Sequence, residues 1–343
     1  DDNGIKIFDA DGFKLPDAIE AQIEEYVFRG NVPNPDGVAD PIGRAYRIDD
    51  ARGRYIEFAK ASVRNRSLRG LKLVLDCANG AAYSMAPLIF RELGAEVITT
   101  GISPNGLNIN ANCGAMHPEA IREAVLSNKA DAGITLDGDA DRVIFLDATG
   151  QVVNGDRILG MCALDMHRRK RLEKDTLVLT SMSNLGLHKA MEEAGIRTVT
   201  TDVGDRYVIE NMRENGYNLG GEQSGHIIFM DYVTTGDGII TALHVLKQMQ
   251  NYGKSLAELA DCMQEYPQRL ESVRIKEKKP FEEMPALQQV ISRCQESLGK
   301  RGRTVVRYSG TENKIRVLLE AETVEQVNSW TEQILAVIRK ELI

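Results

Sequence analysis

Apolar and polar positions change period along the chain, and between residues 71 and 153 short apolar runs are followed in turn by amphipathic stretches. Apolar runs of five or six residues are typical of buried strands, whereas an apolar residue at every third or fourth position predicts a helix. Strands that alternate with helices predict an α/β sheet with parallel strands. This unit is predicted to contain strands 71–76, 96–99, 132–136 and 143–147 and helices 81–93 and 118–127.

The same alternation is repeated after residue 153, and the pattern changes again near residue 268. The repeat predicts a second, similar α/β unit, and the tail predicts a small α+β domain. In the second unit we predict helices 155–168, 185–194 and 207–214, a further helix from 238 to about 251, and strands 176–180, 198–201 and 217–220. The tail is predicted to contain strands 271–275, 304–308 and 314–320 and helices 284–298 and 324–342.

The stretch before residue 71 offers a strand ending at Phe8, a helix over 18–27 and a helical pattern from Tyr46 to about Ser67. One strand and one helix of this size cannot bury a core, so we expect their partners ahead of Asp1. The chain is expected to hold four domains, at 1–54, 55–153, 154–268 and 269–343.

Three aspartates at alternate positions, Asp137, Asp139 and Asp141, follow the apolar run that ends at Leu136, and Arg142 comes next. If the backbone stays extended, the three carboxylates project to one side. Such converging charges favour a small hard dication, and Mg²⁺ is the natural occupant. Arg142 can add a fork for a phosphate. The alternative is a plain acidic turn between two strands.

Glu222, Ser224 and His226 cluster between the glycines of the stretch 221–226, and their oxygens, hydroxyl and ring suit a sugar. Taken singly, His226 is more often a structural histidine and Glu222 a solvated charge. In the tail, Arg307 and Arg316 lie on either side of Ser309, Gly310 and Thr311, which is a phosphate pocket by its chemistry. The alternative is a polar hairpin with exposed arginines.

Composition narrows the function classes. The 42 basic and 50 acidic residues give a net charge of −8, which argues against nucleic acid as a partner. No apolar stretch is long enough to cross a bilayer, so we expect a soluble protein without a membrane partner. Five scattered cysteines without paired metal spacing indicate reduced thiols in the cytoplasm.

Five ordered motifs resemble those of the α-D-phosphohexomutase superfamily along the whole chain. The likeness is greatest to the branch that acts on glucosamine phosphates, because of Gln223 and the pair Asp205-Arg206. The resemblance implies three similar mixed α/β domains, the first incomplete here, and an α+β domain related to the TATA-binding protein, all around a central cleft. The five motifs are Asp-Asn-Gly-Ile-Lys (2–6), Asp-Gly-Asp-Ala-Asp-Arg (137–142), Val-Gly-Asp-Arg-Tyr-Val (203–208), Gly-Glu-Gln-Ser-Gly-His (221–226) and Arg-Tyr-Ser-Gly-Thr-Glu (307–312).

The resemblance also implies an activity: the interconversion of glucosamine 6-phosphate and glucosamine 1-phosphate, with Mg²⁺ as cofactor and glucosamine 1,6-bisphosphate as intermediate. It implies that Lys6 and Arg142 are catalytic and that a sugar phosphate is the small-molecule partner; a homodimer is compatible with it. The substrate-binding residues implied are Asp205, Arg206, Glu222, Ser224, His226, Arg307, Ser309, Gly310, Thr311 and Arg316. The alternatives are a phosphomannomutase/phosphoglucomutase of relaxed specificity and a non-catalytic sugar-phosphate-binding fragment.

In that family the phosphoryl carrier is a phosphoserine in a Ser-His-Asn-Pro loop just before the Asp-Asn-Gly-Ile-Lys motif, and this chain contains no Ser-His-Asn-Pro. We therefore expect the polypeptide of residues 1–343 to lack mutase activity by itself. A second departure is Tyr308 and Asn313, where many relatives carry prolines. We expect this to change the shape of the turn and to leave the phosphate donors in place.

Overall fold

The structure is a computed structural model that describes residues 7–29, 44, 46, 48–309 and 312–343. Of the predicted site residues, Lys6, Gly310 and Thr311 lie outside the described residues. Ahead of the first sheet, the described residues contain a bridge between Phe8 and Lys14, whereas most of the strand predicted to end at Phe8 lies outside the described residues. Two helices follow, α1 (Asp17–Arg29) and α2 (Ala51–Ser62).

The first sheet has five strands in the order β2-β1-β3-β4-β5. The strand β1 runs parallel to both β2 and β3, but β3 and β4 pair antiparallel, with Leu136 opposite Val143. The sheet is therefore mixed: the parallel pairing predicted from alternating strands and helices is present between β1 and its two neighbours, whereas β4 pairs antiparallel with β3 because only six residues separate them. Its elements are β1 (Lys72–Asp76), α3 (Ala86–Glu92), β2 (Glu96–Thr100), α4 (Arg122–Asn128), β3 (Ala132–Leu136), β4 (Val143–Asp147) and β5 (Val152–Val153).

The second sheet repeats this arrangement with the order β7-β6-β8-β9. Again the first two pairings are parallel and the last is antiparallel, so the repeat predicted from the sequence is present in the topology. Its elements are α5 (Gly155–Arg168), β6 (Thr176–Thr180), α6 (Leu185–Glu193), β7 (Arg197–Thr201), α7 (Asp205–Asn215), β8 (Leu219–Gly221), β9 (Ile227–Phe229), α8 (Gly238–Tyr252) and the short α9 (Leu256–Ala260), which the sequence pattern did not predict.

The C-terminal sheet is fully antiparallel, in the order β10-β12-β11, and two helices cover one of its faces. Residues of β12 alternate between this covered face, with Val317 and Leu319, and the opposite face, with Arg316 and Glu320. The elements are β10 (Gln268–Arg274), α10 (Pro285–Leu298), β11 (Gly302–Tyr308), β12 (Lys314–Ala321) and α11 (Val324–Leu342).

One hydrophobic core runs through the first two sheets, whereas the C-terminal sheet has a core of its own with α10 and α11. The helix α8 contributes Ile240, Leu243 and Leu246 to the shared core, and all three are fully buried. This shared packing fixes the loops at the ends of β3 and β8 relative to each other. Within the described residues, no helix is both long and apolar enough to cross a membrane.

A histidine of α8 makes the fold sensitive to acid. His244 stacks on Phe229, with ring centroids 4.7 Å apart, and its pKa is lowered to about 3 by burial and by the nearby Lys247, Arg171 and Arg169. A group whose pKa is lowered on folding contributes stability above its unfolded pKa, and that stability is lost as the pH falls.

Replacing His244 with phenylalanine should therefore reduce the loss of folding stability that occurs as the pH falls. Because pH 5 lies about 1.5 units below the unfolded histidine pKa, we expect the variant to gain about 2 kcal/mol over the wild type between pH 7.5 and pH 5. Denaturant unfolding at several pH values measures this difference. A difference that stays constant with pH would contradict the prediction.

Candidate functional site

The three predicted metal ligands do converge. Asp137, Asp139 and Asp141 each offer a carboxylate oxygen, and these oxygens lie within 4.8 Å of one another. The backbone reason differs from the prediction, however. The chain does not stay extended after Leu136 but turns, with the Ala140 amide donating to the Asp137 carbonyl (3.1 Å) and Ala140 at a φ of +62°. The carboxylates therefore face one point because the turn wraps around it.

The electrostatics of this turn favour a bound cation. Burial and, to a smaller extent, the neighbouring Asp141 and Asp139 raise the pKa of Asp137 to about 7. The Arg142 guanidinium offsets this only in part, since its Nε lies 3.8 Å from Asp137 and 3.9 Å from Asp141. Three close carboxylates of this kind are the donor set that a hard dication prefers. The residues present thus fit a magnesium ion.

Two neighbouring segments hold residues 137–141, which we call the metal turn, in place. The Ala81 amide donates to the Gly138 carbonyl (2.8 Å), and a Cβ on Gly80 would lie only 2.1 Å from that oxygen. On the other side, the Gly238 amide at the start of α8 donates to the Ala140 carbonyl (2.9 Å). The strained φ of Ala140 is thus maintained by contacts on both sides, as is common at functional sites.

The predicted sugar segment, residues 221–226, lies directly against the metal turn. The Val143 amide donates to the Gly225 carbonyl (3.0 Å), and Arg142 and His226 form an antiparallel bridge. A Cβ on Gly225 would lie 2.3 Å from the Val143 carbonyl, so glycine is required for this approach. Two loops from different sheets are thereby joined.

His226 takes a position that the sequence did not indicate. It is buried, its Nε2 accepts the Gly236 amide (3.1 Å), and its Nδ1 lies 3.6 Å from Asp141 Oδ1. The accepting Nε2 leaves the ring proton on Nδ1, which faces the carboxylate. In this structure, both ring nitrogens of His226 face protein atoms and support the metal turn.

Glu222 and Ser224 lie on the open side of the same segment. One Glu222 oxygen accepts the Gly204 amide (3.1 Å), and the other lies 3.3 Å from the Ser224 hydroxyl. Glu222 thus joins segment 221–226 to the start of α7, whose first two residues are Asp205 and Arg206. The Arg206 guanidinium is directed along α7 towards Glu210, at 2.7 Å, and Asp205 accepts the Arg206 amide.

Sequence reasoning missed a hydrogen-bonded pair beside the metal turn, formed by the buried Asp237 and the half-buried Tyr55. The Tyr55 hydroxyl donates to the Asp237 carboxylate at 2.9–3.0 Å, and Asp237 caps α8 by accepting the Ile240 amide. Both residues line a cavity of about 520 Å³ that also contacts Asp139 and Asp141. The capping position of Asp237 is readable from the sequence, but its partner 182 residues away is not.

Two of the predicted phosphate residues, both arginines, lie on the helix-free face of the C-terminal sheet. Arg307 of β11 and Arg316 of β12 occupy directly paired positions. The Arg316 Nε is buried and has no hydrogen-bond partner among the described residues. Ser309 follows β11, and its carbonyl accepts the Lys278 ammonium (2.7 Å). Lys278 is a further cation at this loop, and its separation of 31 residues from Ser309 hid it in the sequence.

Tyr308 points away from these arginines. Its hydroxyl donates to the Lys279 carbonyl (2.7 Å), and its ring packs against Phe281 with centroids 5.1 Å apart. Adjacent strand residues face opposite sides, so the tyrosine contributes to the helix side of the sheet. The two guanidiniums lie on the other face of the sheet.

Comparisons with known proteins identify the family. Models of the phosphoglucomutase/phosphomannomutase family match residues 53–150 (alpha/beta/alpha domain II), 154–266 (alpha/beta/alpha domain III) and 270–337 (C-terminal domain). The phosphoglucosamine mutase of Geotalea daltonii is 52% identical over 342 residues, which are 99% of this chain and 75% of the relative. The chain belongs to the phosphohexomutase family. The phosphoglucosamine mutase of Pelobacter propionicus is similar, at 53% identity over 99% of the chain and 76% of its own length.

Solved phosphohexomutases share the fold. A Burkholderia thailandensis member of the phosphoglucomutase/phosphomannomutase family has a TM-score of 0.69 at 20% identity, covering 84% of this chain and 64% of that protein. The N-acetylphosphoglucosamine mutase of Aspergillus fumigatus, solved with GlcNAc-6P and magnesium, also has a TM-score of 0.69, at 24% identity over 87% of this chain and 67% of that protein. The chain thus spans about three quarters of the curated relatives and about two thirds of these structures.

Proposed function

We propose that the protein interconverts glucosamine 6-phosphate and glucosamine 1-phosphate. The observation that carries this proposal is the junction of the metal turn with segment 221–226, because a cation held by the metal turn would lie near a carboxylate and a hydroxyl suited to a sugar. The two curated relatives, both named phosphoglucosamine mutase, support the choice of substrate.

Asp137, Asp139 and Asp141 would hold Mg²⁺, which when bound supplies positive charge to offset that of the transferring phosphoryl group. Arg142 lies beside these carboxylates and would steady the same group by a charge-assisted fork. Lys6, outside the described residues, is proposed as the general acid and base, since a lysine near a cation can have a lowered pKa.

The sugar and its second phosphate would be bound by the other two segments. Glu222 and Ser224 would form hydrogen bonds with the sugar hydroxyls, together with Asp205 and Arg206 at the start of α7. His226 would act by supporting Asp141. The non-reacting phosphate would be bound by Arg307, Ser309 and Arg316, together with Gly310 and Thr311 outside the described residues and with Lys278.

The reaction itself needs a covalent carrier. A phosphoserine would give its phosphoryl group to the free oxygen of the sugar phosphate, and the resulting glucosamine 1,6-bisphosphate would turn and return its other phosphoryl group to the serine. No Ser-His-Asn-Pro sequence occurs among residues 1–343, so we assign the carrier to a segment outside them. We further propose the domain limits 1–54, 55–153, 154–268 and 269–343, and a cytoplasmic location.

A chimera tests this proposal. The part of the Geotalea daltonii relative that precedes its matched region would be joined ahead of residue 1, and ³¹P NMR would follow the conversion of glucosamine 6-phosphate with Mg²⁺ and the 1,6-bisphosphate. We expect turnover on glucosamine phosphates to exceed turnover on glucose and mannose phosphates. Equal or higher turnover on glucose or mannose phosphates would favour a phosphomannomutase/phosphoglucomutase.

The polypeptide of residues 1–343 is the second arm of this test. We expect it to bind glucosamine 6-phosphate, to remain unlabelled by radioactive 1,6-bisphosphate, and to show no turnover, because neither Ser224 nor Ser309 lies within the metal turn. Stoichiometric labelling of this polypeptide would mean that the nucleophile has been assigned to the wrong segment.

A further inference from the structure

The helix-free face of the C-terminal sheet carries two ionic features at its two ends. Arg307 and Arg316 are directly paired at one end, and Arg303 and Glu320 are directly paired four residues away on each strand. Strand residues four apart lie on the same face, and four residues span about 13 Å. The position of the second pair therefore determines where the two arginines lie.

The second pair is anchored on the preceding domain. Arg303 donates both to the Glu320 carboxylate and to the backbone carbonyl of Ser183. Glu320 is fully buried; burial raises its pKa, while Arg303 and the backbone amide of Leu185 oppose that shift by stabilising the carboxylate. Ser183 and Leu185 flank the start of α6. The C-terminal sheet is thus held by the N-terminal turn of this helix.

A fully buried carboxylate joins the same turn to segment 221–226. Asp156 Oδ2 accepts the backbone amide of Asn184 (2.8 Å) and the side-chain amide of Gln223 (3.0 Å). Gln223 lies between Glu222 and Ser224, and its amide nitrogen points inward to Asp156. The glutamine that marks the glucosamine branch is therefore hydrogen-bonded to the protein interior.

We propose that Asp156 is a positioning residue that couples the sugar-binding segment to the phosphate-binding face of the C-terminal sheet. The connection runs from Gln223 through Asp156 to Asn184, and from the adjoining Ser183 and Leu185 to Arg303 and Glu320. It would fix the distance between Glu222 and Ser224, which take the sugar, and Arg307 and Arg316, which take its phosphate. This role rests on the proposed function for its substrate, but the connection itself does not.

A structural cost supports this role. Burial raises the pKa of Asp156 to about 6, although the Asn184 amide and the Gln223 side-chain amide oppose the shift by donating hydrogen bonds. The carboxyl group is fully buried, and its Oδ1 has no hydrogen-bond partner among the described residues. Burying a polar group without a partner costs free energy, so stability alone gives little reason for a carboxyl group here. A carboxyl oxygen at this position does join two separate elements, because it accepts hydrogen bonds from Gln223 and from Asn184. That connection gives a reason for the carboxyl group.

The first test needs no ligand. Gln223→Leu removes the donor at a partly exposed position, and hydrogen exchange followed by mass spectrometry reports on the far end of the connection. We expect exchange of amides at 183–187 and in β11 to rise about tenfold, because local opening of these turns becomes easier. The control Gln250→Leu, at a partly exposed position of α8 whose side chain donates to the Arg69 carbonyl, should leave both segments unchanged. Unchanged exchange in Gln223→Leu would overturn the proposal.

The second test is a double-mutant cycle on the affinity for glucosamine 6-phosphate. One change is Gln223→Leu, and the other replaces both members of the anchor pair, Arg303→Met with Glu320→Gln, so that no buried charge is left alone. We expect each change to weaken binding, and the combined protein to bind about fivefold or more tighter than independent effects would give. Arg269→Met, on the helix-covered face of the same sheet, should combine additively with Gln223→Leu.

Removing the acceptor gives the third arm. Asp156→Leu removes the oxygen that accepts both amides, so it should weaken binding, and adding Gln223→Leu should weaken binding no further because the connection is already broken. Additive effects in the cycle, or additive effects of Asp156→Leu and Gln223→Leu, would overturn the proposal even if the wild-type chain binds glucosamine 6-phosphate. If the wild type does not bind this sugar phosphate, the proposed function fails, and the exchange experiment alone decides on the connection.

Discussion

Replacing Asp139 with asparagine is expected to abolish Mg²⁺ binding by this chain. The three carboxylate oxygens lie within 4.8 Å of one another, so each would contribute directly to the coordination of one ion. Losing even an indirect partner of a metal site typically costs about 10- to 100-fold in affinity, and we expect a loss of roughly 100-fold or more here. Isothermal titration with Mg²⁺, and with Mn²⁺ as a paramagnetic substitute, measures this loss.

The same variant should change stability in opposite directions with and without the ion. Without Mg²⁺, removing one of three converging charges relieves repulsion, so the melting temperature should stay the same or rise. With Mg²⁺, the wild type should be stabilised by mass action and the variant should not. Asp261→Asn, an exposed acid in the segment after α9, is the matched control. Wild-type Mg²⁺ affinity in Asp139→Asn would mean that the turn is only an acidic connection between β3 and β4.

The order and type of most elements could be predicted because they depend on local pattern. The run Ala132–Leu136 is apolar at nearly every position, and all five residues are buried. Helix α11 has an apolar residue at each turn, and its predicted limits, 324–342, match the structure. The three aspartates could be singled out because they lie within five residues. Their convergence was predicted, but the turn that produces it was not, since the φ of Ala140 depends on contacts with Gly80's neighbour Ala81 and with Gly238.

What sequence reasoning could not supply depends on pairs distant in the chain. The antiparallel pairing of β3 with β4 follows from a tight turn that the pattern of alternating strands and helices does not reveal. Asp156 reads as an ordinary acid in the first turn of α5, and only the fold brings Gln223 to within 3.0 Å of it. His226 reads as a sugar ligand from its neighbours, whereas its burial becomes visible only when β9 and α8 are packed together.

Removing the paired arginines of the C-terminal sheet is expected to have the largest effect on substrate affinity. A phosphate dianion bound by a charge-assisted fork gains about 1.5–3 kcal/mol, so Arg307→Ala or Arg316→Ala should weaken glucosamine 6-phosphate binding by roughly 10- to 150-fold. Inorganic phosphate should lose affinity in parallel, because the sugar contacts lie on other segments. Titration calorimetry on the chain of residues 1–343 gives both constants.

For the stability of the ligand-free protein, we expect the two arginine substitutions to have the opposite effect. They occupy directly opposed positions on neighbouring strands, and like charges in such pairs destabilise a sheet by about 0.2–1 kcal/mol. Each single substitution should therefore leave the ligand-free protein as stable as the wild type or slightly more stable, while it removes the rise in melting temperature that phosphate produces. Arg269→Ala, on the opposite face, is the control and should retain that rise. If Arg307→Ala and Arg316→Ala bind both ligands as the wild type does, the two arginines do not form a phosphate site. They would then belong to a structural hairpin.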